Sequence, residues 1–271
     1  MSFVEKVWKF AELRKLENNL RIKLTSLKLL SRSLMMIWKK FGPIHGDYQK
    51  SLYGVYLKNR FPDKTFSYCL FGNYGFFLAG EIEKIEVPTV FIDIGANVGL
   101  YSLLAAKNNN IKRIISFEPD PSSYAYLKQN VEFSESDSIQ TFSFAISKVA
   151  GTSYLRVVKN HSGISTLTSS TSETESYETI RTVNWEFLDK EIAYEVDTSL
   201  FVKIDVEGHE QSVLECLLEW KLFEQIRTIF IEFVPAVSDV IAIEQLLVDH
   251  GFIERKRVGN REHWDGLWVK A

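Results

Sequence analysis

Val90-Phe91-Ile92-Asp93-Ile94-Gly95-Ala96-Asn97-Val98-Gly99-Leu100-Tyr101 is the stretch whose reading decides the fold. An apolar run meets an acid, Asp93, then a loop of small residues, then a helical pattern from Leu100 to Lys107. That order predicts a buried strand, a sharp turn and a helix whose N-terminus faces the space above the sheet edge. Gly95 and Gly99 let a ligand approach the backbone. Asn97 is the non-glycine residue that best tolerates positive φ. Free N–H groups at the helix start favour a negative group. The element reads as a cofactor loop.

Working outward, the chain downstream alternates strands and helices. Ile111 to Phe117 is an apolar strand ending in Glu118-Pro119-Asp120-Pro121, with Asp120 placed to cap a helix that Pro121 begins and that runs to about Val131. Strands follow at Ile139–Ile146, Leu200–Ile204 and Ile226–Ile231, with helices at Gln211–Trp220 and Ser238–Gly251. Phe252–Val258 and His263–Val269 read as a closing antiparallel hairpin. This alternation implies βαβ units and a parallel sheet. The region 151–199 interrupts it. Tyr154 to Val158 reads as a strand, Thr168 to Thr179 as a polar loop, and Thr182 to Leu188 returns to alternation. The whole reads as an insertion over the C-terminal edge of the sheet, where a substrate lid sits.

Upstream, Asp47 to Arg60 reads as a helix ended by Phe61-Pro62. Thr65 to Ala79, rich in aromatics around Gly72-Asn73-Tyr74-Gly75, reads as a β-hairpin or turn. It is either one wall of the active site or ordinary packing at the sheet edge. Phe3 to Lys40 carries apolar residues at helical spacing. The segment 1–42 holds ten basic and three acidic residues, so it is +7; the whole chain is −3, which leaves −10 for the rest. Three uses of this basic arm stay open: packing on the body or a second subunit, lying on an anionic membrane surface, or binding nucleic acid. The acidic body and the lack of a recognition motif argue against nucleic acid. The domain reading is a basic helical arm over 1–62 and a catalytic domain over 63–271.

The 271 residues are 45% hydrophobic and 25% charged, a globular composition. Cys69 and Cys216 make no disulfide framework, which favours a reducing, cytoplasmic setting. No run reaches the roughly 20 apolar residues of a membrane span, and the N-terminus lacks signal-peptide architecture.

Glu118 is the second fixed point, a little over 20 residues beyond Gly95. A carboxylate there accepts hydrogen bonds from ribose hydroxyls. The loop departs from G-x-G-x-x-G, with Asp93 two residues before the first glycine. An acid at that place suits a cofactor with an ammonium group, such as S-adenosylmethionine, better than a pyrophosphate. Asp93-Ile-Gly-Ala-Asn-Val-Gly99, Phe117-Glu118-Pro119, Ala145-Ile146-Ser147 and Lys203-Ile-Asp-Val-Glu-Gly-His-Glu210 resemble the FkbM-type S-adenosylmethionine-dependent methyltransferases. Ser162-Gly163, Leu188-Asp189 and Ile231-Glu232-Phe233 fall in the order of that family. The resemblance covers about Val90 to Phe233. It implies an α/β fold of Rossmann-like class I methyltransferase type: a seven-stranded, mostly parallel sheet with a C-terminal antiparallel hairpin. It also implies O-methylation of a sugar, glycolipid or polyketide-like small molecule. Carried over, Asp93, Gly95, Ala96, Asn97 and Gly99 hold the methionine part of the cofactor. Glu118, with Pro119, takes the ribose. Asn130, Ala145, Ile146 and Ser147 approach the adenine, and the turn Asp205–His209 faces the methyl group and the acceptor.

The residues of that turn agree with the assignment. Asp205 and Glu207 lie two apart at a strand's C-terminal end and can point to one side. Glu232 ends the neighbouring strand. His209, Asp205 and Glu207, in that order, are the candidate bases for the acceptor proton; His161, beside the lid, is a weaker candidate. Magnesium on Asp205, Glu207 and Glu232 is chemically reasonable, but no close ligand spacing demands it, so no metal is assigned. Two alternatives share the fold: a nucleotide-cofactor oxidoreductase, and a non-catalytic module that uses the basic arm.

Overall fold

The computed structural model describes residues 46–168, 172, 175–192 and 198–271. Residues 1–45 of the basic arm lie outside the described residues, as does part of the Ser/Thr-rich run. The chain divides into two units, Met1–Phe76 and Phe77–Ala271.

In the described part of the first unit, β1 (Tyr48–Lys50) and β2 (Tyr56–Lys58) pair antiparallel. A helix was the expectation over Asp47–Arg60. The chain turns instead at Gly54, whose φ is 79°, and Ser51 N donates to the Val55 carbonyl. The hairpin expected at Thr65–Ala79 is replaced by helix α1 (Lys64–Phe71) and the start of α2 (Phe76–Glu83). Local capping explains this. Asp63 accepts from Phe66 N at 2.7 Å, and Gly72 ends α1 in the left-handed region at φ 61°.

The second unit is built on a seven-stranded sheet whose strands lie, edge to edge, in the order Phe252–Gly259, Trp264–Lys270, Ile226–Phe233, Ser199–Ile204, Thr89–Ile94, Ile111–Phe117 and Ile139–Phe142. Its first strand is β3 (Thr89–Ile94), buried at every position because both faces of a parallel sheet are covered. Helix α3 (Leu100–Ala105) follows the loop and leads to β4 (Ile111–Phe117). Helix α4 (Pro121–Ser134) starts as the sequence predicts, with Asp120 accepting from Ser122 N and Ser123 N. The single strand expected over Ile139–Ile146 is two: β5 (Ile139–Phe142) closes one edge of the main sheet, and β6 (Ala145–Ile146) joins another sheet.

That other sheet carries the insertion, and its strands lie in the order β6, Ser176–Val183, Gly151–Val157 and Thr166–Thr168. It comprises β7 (Gly151–Val157), β8 (Thr166–Thr168) and β9 (Ser176–Val183), with a 3₁₀ turn over Ser162–Ile164. Where Thr182–Leu188 reads as alternation, β9 gives way to α5 (Trp185–Glu191). Leu188 alone is buried in that helix, so it leaves no helical period to read.

The chain then returns to the main sheet through β10 (Ser199–Ile204), α6 (Glu210–Glu219), β11 (Ile226–Phe233), α7 (Val240–Asp249), β12 (Phe252–Gly259) and β13 (Trp264–Lys270). β10 pairs in parallel with β3 on one side and β11 on the other, while β13 runs antiparallel to both β11 and β12. Val202, Ile204, Ile229, Leu214, Leu217 and Leu247 belong to the main apolar core. The succession β3, β4, β5 builds one half of the sheet and β10, β11 the other. The order of strands therefore reverses between β3 and β10, and ligands of open α/β sheets bind outside the strand ends at such a reversal.

Candidate active site

At the reversal, Asp93 of β3 and Lys203 of β10 are register partners. Both are buried, and Lys203 Nζ lies 3.1 Å from Asp93 Oδ1 and 3.6 Å from Asp205 Oδ2. The same ammonium donates to the Gly95 carbonyl at 2.5 Å and the Ile94 carbonyl at 3.3 Å. Burial opposes its charge, but Asp93 and Asp205 outweigh burial and hold its pKa above the ordinary lysine range. Asp93 Oδ2 accepts from Ser102 Oγ at 2.6 Å. Asp93 thus anchors the loop through Lys203 and Ser102.

The loop itself is closed on its own framework. Gly95 N and Ala96 N both donate to the Phe117 carbonyl at 2.9 Å, and Gly99 N donates to the Ala96 carbonyl. Asn97, at φ 50°, sends its N–H to Glu118 Oε2 at 2.7 Å. The free amides expected for an anion are therefore engaged at these four positions. The glycines have a packing reason as well. A Cβ on Gly95 would stand 1.8 Å from the Asp205 carbonyl oxygen, and one on Gly99 would stand 2.5 Å from Leu127 Cδ1.

What faces the cofactor position is a carboxyl. Glu118 accepts from Asn97 N and, through Oε1, from Asp120 N at 2.9 Å. Burial pushes it up to about 7, against the pull of those N–H donors. Its remaining lone pairs suit hydroxyl donors. A loop whose amides at these four positions are engaged, with a carboxyl at its mouth, fits ribose hydroxyls and a cationic amino-acid moiety better than a pyrophosphate. Pro119 follows at the end of β4. Asn130 on α4 holds the loop's far side, donating to the Val98 carbonyl at 2.8 Å. Ala145 and Ile146 are buried in β6, and Ser147 beside them bonds His209 Nε2 at 3.0 Å.

The turn after β10 separates the candidate bases. His209 is drawn to Ser147, and burial lowers its pKa. Asp205 and Glu207 point elsewhere, toward Glu232; one carboxylate oxygen of each lies within 4.8 Å of the others. Glu207 adopts φ 52° and Gly208 φ 102°. Glu210 locks the turn, accepting from Gly208 N at 2.8 Å and Ser238 Oγ at 2.7 Å. Burial and the neighbouring Asp205 raise Glu207 to about 9, so it carries its proton at neutral pH. His161 precedes the 3₁₀ turn of the insertion, where its N–H donates to the Val158 carbonyl.

Two residues that the sequence reading passed over complete this group. His263 and Asp265 come from the start of β13, whose antiparallel pairing with β11 sets Asp265 opposite Glu232. His263 Nε2 bonds Glu232 Oε1 at 2.5 Å. That bond lifts His263 to about 9, and burial lifts Asp265 to about 7. Burial would raise Glu232, but its bond to His263 prevails and lowers it. No sequence signal marks His263, because only strand pairing brings it here. Lys203 was legible: a lysine inside an apolar strand requires a buried partner.

The Methyltransferase FkbM domain profile matches residues 93–254 of this chain. The chain belongs to the FkbM methyltransferase family. It is a methyltransferase, and its cofactor is S-adenosylmethionine. The oxidoreductase and non-catalytic alternatives fall. The matched stretch begins at Asp93 and holds the cofactor loop, Glu118 and the Asp205 turn, whereas His263 and Asp265 lie beyond it. The methyltransferase is 29% identical to methyltransferase sdnD of Sordaria araneosa, over 64% of this chain and 76% of that protein. It is 28% identical to hexuronic acid methyltransferase AglP of Haloferax volcanii, over 49% of this chain and 52% of that one. A looser likeness, at 14% identity and a TM-score of 0.43, is to M. capricolum TrmK in complex with S-adenosyl-homocysteine, covering 72% of this chain and 67% of that one. The fold stands on the strand order above and not on that likeness. Among the described residues, no helix is long and apolar enough to cross a membrane.

Proposed function

We propose that this methyltransferase methylates a hydroxyl oxygen of a sugar, glycolipid or polyketide-like small molecule. The observation that carries the reading is the pairing, at one sheet reversal, of a Glu118-mouthed loop with a carboxylate-rich turn around Asp205. S-adenosylmethionine, when bound, supplies an activated methyl group on a sulfonium. Glu118 is the residue for its ribose hydroxyls. Glu232, held below the ordinary range, and Asp205 supply the negative charge that suits its two positive centres, and Lys203 fixes Asp205 in place. The acceptor hydroxyl must lose a proton. Asp205, held in an ion pair, is the base we assign, since Glu207 carries a proton and His209 bonds Ser147. The names of the two relatives support a small-molecule or sugar acceptor without deciding between them.

Calorimetry with S-adenosylhomocysteine and transfer of isotope-labelled methyl to a hydroxylated panel of sugars, glycolipids and polyketides test this. Wild type should bind the product cofactor, and Glu118→Ala should bind it more weakly. Asp205→Asn should slow turnover on any accepted compound by roughly 10²–10⁴-fold. Transfer confined to nitrogen or sulfur acceptors would overturn the hydroxyl assignment.

A further inference from the structure

The insertion is tied to the cofactor loop and to the turn after β10. Ser162 Oγ, in the 3₁₀ turn, donates to Asn97 Oδ1 at 3.3 Å, a contact between residues 65 apart in the chain. At the start of β8, Thr166 Oγ1 donates to the Glu207 carbonyl at 2.6 Å. Both ties fall on non-glycine residues at positive φ, Asn97 at 50° and Glu207 at 52°. Such backbone is strained, and it persists where surrounding contacts fix it. Glycine would take φ 50° without that strain. Asparagine at 97 adds a side-chain amide, and that amide receives Ser162. Its backbone N–H meanwhile donates to Glu118 Oε2 at 2.7 Å. Asn97 therefore joins the insertion, through its side chain, to the carboxyl at the mouth of the loop, through its backbone. Ser162 itself is buried.

We propose that Ser162 is a positioning residue for the cofactor: through Asn97 it sets the amide that orients Glu118, while Thr166 anchors the same stretch to the Glu207 backbone. Ser162 touches no cofactor atom in this scheme; its effect passes through Asn97. The insertion then belongs to the frame of the cofactor site. This rests on the reading of Glu118 as the residue for the ribose hydroxyls.

The test is a double-mutant cycle on the full chain, read by calorimetry with S-adenosylhomocysteine, and it needs no acceptor. A thermal melt of each free protein checks that it is folded. Ser162→Ala and Asn97→Gly should each weaken binding roughly three- to tenfold. The second removes the amide while easing the strain at φ 50°. The double variant should lose no more than the weaker-binding single variant, because both substitutions break one link. Coupling is reciprocal, so bound S-adenosylhomocysteine should slow amide hydrogen exchange in Ser162–Thr166 of the wild type and should do so less in Ser162→Ala. A hydroxyl that only stabilises the insertion would lower the melting midpoint and leave affinity level, and that result would overturn the proposal. Losses that add in the double variant would overturn it too, as would equal slowing of exchange in both proteins. Unweakened binding by Glu118→Ala would instead remove the ribose reading, and this proposal with it; weakened binding by Glu118→Ala beside level binding by Ser162→Ala would condemn Ser162 alone.

Discussion

Lys203 shows how one buried charge organises several others. Its ammonium meets two carboxylates and two carbonyl oxygens, and it also lies 5.6 Å from the centre of the Tyr101 ring. Removing it leaves Asp93 buried without its counter-charge. Breaking a buried pair from one side typically costs roughly 3–5 kcal/mol. Lys203→Met should therefore lose about that much in urea unfolding. The double variant Asp93→Asn/Lys203→Met should recover part of the loss, since no lone charge is then buried. Strictly additive losses would show that the two side chains do not act as a pair. Both belonged to motifs visible in the sequence, yet their mutual contact depends on β3 and β10 being neighbours.

Among the elements, the cofactor loop and α2 make a contrast between two glycines. Gly95 stands at φ 78°, and a Cβ there would collide with the Asp205 carbonyl. Gly80 lies within Phe76–Glu83, and a Cβ there meets nothing within 4 Å. Gly80→Ala should stabilise by about 0.5–1 kcal/mol, the usual gain in a helix interior. Gly95→Ala should destabilise by roughly 3 kcal/mol or more, through strain and overpacking together, and should abolish S-adenosylhomocysteine binding. Chemical denaturation of both variants against wild type checks the signs. An unharmed Gly95→Ala would mean that the loop and the Asp205 turn separate easily. The same comparison explains why small residues in the loop suggested ligand approach: from sequence, room made for a ligand and room made for another loop look alike.

For the whole molecule, the acid-rich crevice sets the pH dependence of stability. Folding raises Glu118 from 4.5 to about 7, Glu207 from 4.5 to about 9, Asp265 from 3.8 to about 7 and His263 from 6.5 to about 9. A raised folded value contributes stability that is present below the unfolded value and is lost as pH rises through the folded one. All four therefore act in one direction, and stability should fall between about pH 5 and pH 9. Glu232 is lowered, so its contribution exists above its unfolded value of 4.5 and disappears in acid. The thermal midpoint of the free protein should thus be highest on the acid side of neutrality. Midpoints that rise steadily from pH 5.5 to pH 9 would contradict the assignment of raised values.

Sequence alone determined the alternating elements of the main sheet, the loop at Asp93–Gly99, the acid at Glu118 and the carboxylates at the end of β10. These are local signals: runs of apolar residues, caps and glycines report on their own neighbourhood. The hairpin at Tyr48–Lys58 and the helices at Lys64–Phe71 and Trp185–Glu191 escaped that reading, because short elements with few buried positions leave little periodicity. Tertiary structure decided the rest. It took His209 away to Ser147, and it brought His263 and Asp265 to Glu232. It also engaged the loop amides within the fold and laid Ser162–Thr166 across the crevice. Each of these depends on which strands lie side by side. Strand neighbours are fixed by burial of the whole sheet and by the point where its order reverses, and no single stretch of sequence carries that information.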